Sequence, residues 1–212
     1  LEIGCGTGYV LLGMRQAFPQ MALAGSEIFS AGLEFAAERL PGVDLFQMDA
    51  LCIPFQDEFD VVGAFDVLEH IEDDESVLAQ LYRAVKPGGG ILITVPQHMF
   101  LWSQADVEAV HQRRYGAQEM QRKVERAGFD VLRMTSFVSL LFPLMAAERL
   151  ANRKPKPNFS VHNELAIGGA ANWGMERVLG LERGFIRAGV SLPFGGSLLT
   201  VARKAPGPER RR

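Results

Sequence analysis

The sequence lacks the features that mark several common classes of protein. Two cysteines in 212 residues, Cys5 and Cys52, exclude a disulfide framework and leave no cysteine spacing typical of a metal site. A net charge of −3 gives no general attraction to nucleic acid. The apolar run at 137–150 is shorter than the roughly 20 residues of a membrane span. We therefore expect one globular core in a reducing, cytoplasmic compartment.

The chain begins with Leu1 rather than Met, inside an apolar segment that has the pattern of a central strand. We therefore expect a truncated N-terminus, with a first helix and the start of that strand lying before Leu1. With this N-terminus missing, the sequence does not test for a signal peptide.

Residues 1–8, Leu-Glu-Ile-Gly-Cys-Gly-Thr-Gly, predict the most informative local structure. Leu1 and Ile3 are typical of a buried strand end, the glycines predict a tight turn, and 9–17 has a helical pattern. This order brings backbone N–H groups and a helix N-terminus to one point above the sheet, which favours an anionic or strongly polar ligand.

The spacing of these glycines distinguishes two classes of cofactor site. A dinucleotide fingerprint would need a third glycine at position 9, which is Tyr9. The pattern Glu-x-Gly-x-Gly-x-Gly instead resembles the first motif of class I S-adenosylmethionine (SAM)-dependent methyltransferases. The resemblance implies SAM as cofactor, with Gly4, Gly6 and Gly8 around its methionine part. It also implies that Glu2 orders the loop and the ammonium group.

Two further acidic residues follow predicted strands. Glu27 ends a strand at 21–27, where a carboxylate can accept both hydroxyl protons of a ribose. This position suits either kind of nucleotide cofactor. Asp49 and Ala50 follow a third strand at 43–48. In the methyltransferases, the acidic residue here accepts a hydrogen bond from the adenine amino group, and a neighbouring backbone N–H reads the ring edge.

The next segment extends the resemblance through residue 96. It contains an apolar strand at 59–65, a helix from Asp73 or Asp74 to about 85, a Lys-Pro-Gly-Gly-Gly turn and a strand at 91–95. The resemblance implies a Rossmann-like, doubly wound α/β fold, whose seven-stranded, mostly parallel sheet has the order 3-2-1-4-5-7-6 and an antiparallel last strand. It also places the Phe65 carbonyl near the methionine amine.

The second half divides into four regions. Residues 97–116 lack periodicity, and their Leu-Trp-Ser…Asp…His…Arg-Arg-Tyr pattern is similar to that of a subgroup of small bacterial methyltransferases. A helix at 117–127 and a strand at 129–136 follow. We predict a core at 1–136, a helical insertion at 137–193, a last strand at 194–203 and a disordered tail at 204–212.

Three roles are open for the insertion, in decreasing order of preference. It can complete the core at the sheet edge, close as a lid over a hydrophobic acceptor, or lie on a membrane surface through residues 137–156. The last role would place the protein at a membrane rather than free in the cytoplasm. Its apolar residues are Leu140, Leu141, Phe142, Leu144 and Met145, and its basic ones are Arg149, Arg153, Lys154 and Lys156.

Three histidines are candidates for a general base, which the reaction needs only when the nucleophile carries a proton of high pKa. His70 follows the fourth strand and is preferred. His98 follows the fifth strand and could line an acceptor pocket. His111, with Arg114 and Tyr115, could bind an acidic or phosphorylated acceptor, or the three could hold their own loop in place.

A metal site is a weaker alternative. Ubiquinone-type O-methyltransferases have a Glu-x-x-Glu-His stretch that resembles Asp66, Glu69 and His70, and this implies a Mg²⁺ role. Asp66 is one methylene shorter than the glutamate in that pattern. We favour the alternative without a metal, in which these acids lie at a helix N-terminus.

The sequence therefore predicts SAM-dependent methyl transfer to a small-molecule acceptor. Apolar composition and the quinone-type resemblance favour a hydrophobic or isoprenoid-like acceptor and O-methylation. A non-catalytic SAM-binding scaffold is the main alternative, and a nucleotide-cofactor oxidoreductase is disfavoured by Tyr9 and Asp49. Nucleic acid is not expected as a partner, since the fourth strand is followed by Asp-Val-Leu rather than an Asn-Pro-Pro-Tyr motif.

Overall fold

A computed structural model describes residues 1–151 and 168–207. The strands of this part of the chain are β1 (Glu2–Ile3), β2 (Ala24–Glu27), β3 (Asp44–Gln47), β4 (Phe59–Phe65), β5 (Val85–Pro96), β6 (Phe129–Phe137) and β7 (Ser197–Lys204). The helices are α1 (Tyr9–Ala17), α2 (Ser30–Arg39), α3 (Asp74–Ala84), α4 (Gln104–Glu108), α5 (Ala117–Arg126), α6 (Phe142–Ala151) and α7 (Gly169–Arg187), and 3₁₀ turns cover Leu68–His70 and Met99–Leu101.

The strands form one sheet in the order β3-β2-β1-β4-β5-β7-β6. β1 pairs in parallel with both β2 and β4, whereas β7 runs antiparallel to β5 and β6. The predicted Rossmann-like fold and strand order are confirmed. The chain moves outward from β1 to β3 and then returns to β4, so the crevice above β1 and β4 is the position where doubly wound sheets bind ligands.

Apolar sequence and helix capping explain why these elements pack where they do. β4 and β5 lie inside the sheet, and their alternate residues Val62, Ala64, Ile91, Ile93 and Val95 are fully buried on one face. α3 covers one face with Val77, Leu78 and Leu81, which are also fully buried. Its start is fixed by Asp73, whose carboxylate accepts a hydrogen bond from the Ser76 backbone N–H at 3.1 Å. This packing holds the β4 carboxyl end rigidly at the crevice.

Several segments differ from the expected boundaries. β2 begins at Ala24 rather than 21, and the last strand covers Ser197–Lys204 rather than 194–203, so that Lys204 belongs to the sheet and not to the tail. β5 begins at Val85 rather than 91, because the Lys-Pro-Gly-Gly-Gly turn stays within the ladder as an irregularity between the Phe59 and Val61 pairings. The segment 97–116, expected to be irregular, contains a 3₁₀ turn and α4. The apolar run at 137–150 becomes helical only at Phe142, since β6 continues to Phe137 and Val138 takes a positive φ of 57°.

Residues 152–167 of the predicted insertion and 208–212 of the predicted tail lie outside the described residues. Arg153, Lys154 and Lys156 are among them. Within the part that is described, no helix has the length and apolar character needed to cross a membrane.

Candidate active site

The glycine loop between β1 and α1 adopts a backbone that side chains disfavour. Gly4, Gly6 and Gly8 have φ values of 67°, 52° and 83°. A Cβ on Gly4 would lie 2.6 Å from a methyl group of Val67, and one on Gly8 would lie 2.8 Å from Leu40. A Cβ on Gly6 would meet no protein atom within 4 Å. The loop is therefore packed at both ends and open in the middle, where a ligand can approach the backbone.

Glu27 connects this loop to the end of β2. Its Oε2 accepts a hydrogen bond from the Gly6 N–H at 3.0 Å, and its Oε1 accepts from the N–H groups of Ile28 at 2.8 Å and Phe29 at 3.1 Å. A carboxylate has about four lone-pair sites, so three backbone donors leave room for one further hydrogen bond on Oε2. Glu27 can thus order the loop and still accept a ribose hydroxyl.

A cavity of about 590 Å³ opens at the carboxyl ends of β1 to β4. Four of the eight residues predicted to bind the cofactor line it: Gly4, Glu27, Asp49 and Ala50. So do Asp66 and His70, from the two weaker predictions, and eight apolar side chains that were not predicted to bind the cofactor: Ile3, Ile28, Phe29, Met48, Val67, Ile71, Ala109 and Val110. The cavity therefore combines an apolar slot with carboxylates at its edge, which suits a nucleoside.

The other predicted cofactor residues lie around or below this cavity. Gly6 and Gly8 lie in the loop itself. Glu2 and Phe65 line a second cavity of about 580 Å³, near the starts of β2 to β4. Glu2 is buried there, burial raises its pKa to about 7, and its Oε2 has no hydrogen-bond partner among the described residues. Its side chain is placed to support the sheet beneath the loop rather than to line the main cavity.

Two histidines meet beside the main cavity. The rings of His70 and His111 pack edge to face, with centroids 4.8 Å apart. Partial burial and the neighbouring His111 lower the pKa of His70, which favours a neutral imidazole. Below them, Glu69 is fully buried, and both of its carboxylate oxygens lack a hydrogen-bond partner within the described chain. Burial raises the Glu69 pKa to about 8, so this carboxyl is largely protonated at neutral pH.

The structure groups different residues from the metal trio considered above. One ligand atom each of Glu69, His70 and His111 lie within 4.8 Å of one another, whereas Asp66 is outside this group and accepts a hydrogen bond from the Thr94 hydroxyl at 3.2 Å. Two imidazoles and one carboxyl do not fit Mg²⁺, which prefers oxygen ligands in octahedral geometry. We assign no Mg²⁺ role to these residues.

His111 is held by a buried carboxylate that sequence reasoning did not select. Asp106 Oδ1 lies 3.0 Å from His111 Nδ1 and 2.7 Å from Arg114 Nε. Asp106 Oδ2 accepts from both the N–H and the hydroxyl of Ser103. Burial alone would raise the Asp106 pKa, but the hydrogen bonds and charge of Arg114 outweigh it and hold the pKa below its ordinary value. An ionised Asp106 fixes the His111 proton on Nδ1 and leaves Nε2 as the basic nitrogen.

Arg113 and Tyr115, which flank Arg114, point to a different carboxylate. The Tyr115 hydroxyl donates to Asp74 Oδ2 at 2.6 Å, and Arg113 and Lys123 donate to the same oxygen at 3.2 Å and 2.6 Å. Tyr115 is fully buried, and burial raises its pKa. Arg114 and Tyr115 therefore have protein partners that hold the loop, which was one of the two predicted roles.

His98 lies in a separate aromatic cluster at the end of β5. Its ring stacks on Phe100 and Phe194, with centroids at 5.1 Å and 6.0 Å, and lies 5.7 Å from Phe142. Its φ of 65° is unusual for a residue with a side chain, and its buried Nε2 has no partner in the described residues. Burial lowers its pKa. A neutral, unpartnered imidazole among aromatic rings can receive a hydrogen bond from an apolar molecule that carries one hydroxyl.

Comparison with known proteins gives a consistent result. The model of the methyltransferase domain family matches residues 1–134. A probable SAM-dependent methyltransferase of Mycolicibacterium smegmatis is 29% identical over 134 residues, which are 62% of this chain and 51% of that protein. A phthiotriol/phenolphthiotriol dimycocerosates methyltransferase of Mycobacterium ulcerans is 30% identical over 158 residues, 72% of this chain and 58% of that protein.

Solved structures agree in fold. A Haloferax volcanii methyltransferase, solved in complex with the Trm112 methyltransferase activator, superposes with a TM-score of 0.64 at 18% identity. The superposition covers 97% of this chain and 81% of the matched one. Against the two relatives above, this chain spans only about half of their length.

Proposed function

Because the chain belongs to the methyltransferase domain family, within the class I SAM-dependent methyltransferases, we propose that it transfers the SAM methyl group to an apolar small-molecule acceptor. The observation that carries the proposal is the 590 Å³ cavity, which joins the open glycine loop to Glu27 and Asp49. Gly6 leaves the backbone open to a ligand, Glu27 has one lone-pair site free for a ribose hydroxyl, and Asp49 lines the same cavity. These residues fit SAM.

The chain's own residues have two tasks in such a reaction. SAM supplies a methyl group already activated by its sulfonium, so the protein must align the acceptor and exclude water. An acceptor hydroxyl must also lose its proton. Of the three candidate bases, we favour His111, because Asp106 orients its ring and leaves Nε2 as the basic nitrogen. His70, which lines the cavity, would then position the acceptor. An oriented base supports transfer to oxygen.

The aromatic cluster around His98 supports an apolar acceptor. Phe100, Phe142 and Phe194 present ring faces, and the His98 Nε2 is the polar atom among them. A phosphorylated acceptor would need free cations instead, and Arg113 and Arg114 are already paired with Asp74 and Asp106. An isoprenoid-substituted phenol or catechol combines an apolar surface with a hydroxyl that can bond the polar atom of this cluster.

Of the three roles considered for the insertion, we propose that it acts as a fixed cap on the sheet edge. Glu182 of α7 is buried and accepts hydrogen bonds from the Ser139 and Leu140 N–H groups at 2.7 Å and 2.8 Å. Arg133 of β6 donates to the Ile186 carbonyl at 2.9 Å, near the end of α7. These buried contacts tie the second half of α7 to the core, which supports a cap more than a hinged lid.

The test has two separable stages. Calorimetric titration with S-adenosylhomocysteine measures cofactor binding, with micromolar affinity expected. Methyl transfer from radiolabelled SAM is then compared on a prenylated catechol, plain catechol and phosphoethanolamine. Preference for the prenylated catechol is the expected result. Failure to bind S-adenosylhomocysteine would overturn the cofactor site. Binding without transfer to any acceptor would favour a SAM-binding scaffold, and transfer to phosphoethanolamine alone would refute the apolar acceptor.

A further inference from the structure

One face of α7 is apolar and exposed along its length. Trp173, Arg177, Leu181 and Phe185 follow each other at four-residue intervals, so they form one stripe on the helix surface. The exposed fractions of Trp173, Leu181 and Phe185 are 61%, 64% and 47%. Arg177 is also exposed, and its guanidinium lies 5.2 Å from the Trp173 ring centroid. Soluble surfaces seldom carry such a stripe without a partner.

The stripe continues towards the aromatic cluster. Glu182, next to Leu181, binds the backbone of Leu140, whose side chain is also exposed. Two residues further, Phe142 lies 6.1 Å from Phe100 and 6.5 Å from Phe194, both exposed. We name the set formed by the α7 stripe and these residues the apolar face. It leads to the His98 cluster.

Charge distinguishes the kind of partner that this face suits. Residues 137–193 carry seven basic and four acidic side chains, a local charge of +3. The other 155 residues carry 15 basic and 21 acidic side chains, a charge of −6. Arg153, Lys154, Lys156 and Glu164 of this segment lie outside the described residues. Its described part carries four basic and three acidic side chains, of which Glu182 is buried, so this part is weakly basic while the rest of the protein is acidic. Aromatic and aliphatic side chains beside arginines are the combination found at anionic lipid surfaces.

We propose that the apolar face docks on an anionic lipid bilayer. Trp173, Leu181, Phe185 and Phe100 enter the headgroup region, and Arg177 meets lipid phosphates. Contact through these side chains sets one orientation of the protein on the membrane. In that orientation the His98 cluster opens towards the acyl chains. This docking does not depend on methyl transfer, so it can hold or fail separately from the proposed reaction.

Vesicle co-sedimentation of the full chain tests the docking. The probes are phosphatidylcholine vesicles with and without 30% phosphatidylglycerol, at low and high salt. We expect binding to the anionic vesicles, weakened by salt. Replacing Trp173 and Leu181 by Ser should weaken it on the order of a hundredfold, since each exposed apolar anchor is worth about tenfold. The matched control replaces Phe35 and Leu132, equally exposed at 57% each but on α2 and β6, and should bind like the parent.

Each variant is checked for S-adenosylhomocysteine binding and thermal unfolding, so that misfolding is recognised. A second measurement leaves the face intact: in a Trp102→Phe protein, emission from Trp173 should shift to the blue and be quenched by brominated acyl chains. Absence of vesicle binding by the folded parent, or equal loss in the control variant, would overturn the proposal. So would a concentration-dependent dimer that the Trp173 and Leu181 changes dissociate, because the face would then belong to a second copy.

Discussion

Replacing Glu27 by Gln tests the cofactor site most directly. The carboxylate accepts three backbone N–H groups, from Gly6, Ile28 and Phe29. An amide of the same shape has one acceptor oxygen. In the orientation that preserves more hydrogen bonds, the amide oxygen still accepts from the N–H groups of Ile28 and Phe29, while the NH₂ group faces the Gly6 N–H. One partly buried donor, the Gly6 N–H, then loses its partner, which costs about 1–3 kcal/mol of the free energy of unfolding. For a chain of this size that lowers Tm by roughly 2–12 °C.

Cofactor affinity should fall as well. In the proposed site a ribose hydroxyl donates to Glu27 Oε2, and a hydrogen bond to a charged group contributes about 1.5–3 kcal/mol, or roughly 10- to 150-fold in Kd. Calorimetric titration with S-adenosylhomocysteine measures this change, with differential scanning calorimetry for stability. Glu34→Gln, at an exposed acid on the neighbouring α2, is the matched control and should change neither value. If folded Glu27→Gln protein binds within about twofold of the parent, the proposed role of Glu27 is wrong.

Three further predictions concern other parts of the site. Gly8→Ala should destabilise the protein more than Gly42→Ala by chemical denaturation, because both have a φ near +82° but only a Cβ on Gly8 meets protein atoms, at 2.8 Å; equal losses would contradict the packing. Burial raises the pKa of Glu69 from 4.5 to about 8, so its protonation contributes stability that is fully present below pH 4.5 and is lost as the pH rises through about 8. Tm should therefore fall across this range, and the fall should be smaller in Glu69→Gln. Asp106→Asn should shift the ¹⁵N tautomer signals of His111 strongly, because an amide no longer fixes the proton on Nδ1; unchanged signals would show that Asp106 does not orient the proposed base.

The order of strands and helices was predictable because each boundary has a local cause. Strand β4 and helix α1 have the bounds that apolar pattern and glycine spacing predict. The start of β5 was not predictable to the same degree. Lys-Pro-Gly-Gly-Gly is typical of a turn between elements, whereas pairing with β4 on either side keeps this segment in the ladder. Pairing with a distant strand determines that boundary, and the local sequence does not indicate it.

The cofactor side of the site was also largely predictable, for a topological reason. Carboxyl ends of parallel strands converge at one edge, so residues that end β1, β2 and β3 must meet there. Gly4, Glu27, Asp49 and Ala50 do so. The acceptor side depends on backbone conformations that sequence does not encode simply. Asp66 and His98 both take positive φ, which redirects their side chains, and strain of this kind is set by the surrounding structure.

The His-Gln-Arg-Arg-Tyr segment shows why adjacent residues can have different tasks. Its five residues follow α4 outside any helix, and neighbouring side chains reach two different carboxylates. His111 and Arg114 reach Asp106, near the cavity, whereas Arg113 and Tyr115 reach Asp74, at the start of α3. The second group anchors the loop to a helix that packs in the core. That anchoring fixes the position of the first group, so the residues that hold the loop also hold His111 where the proposed base would act.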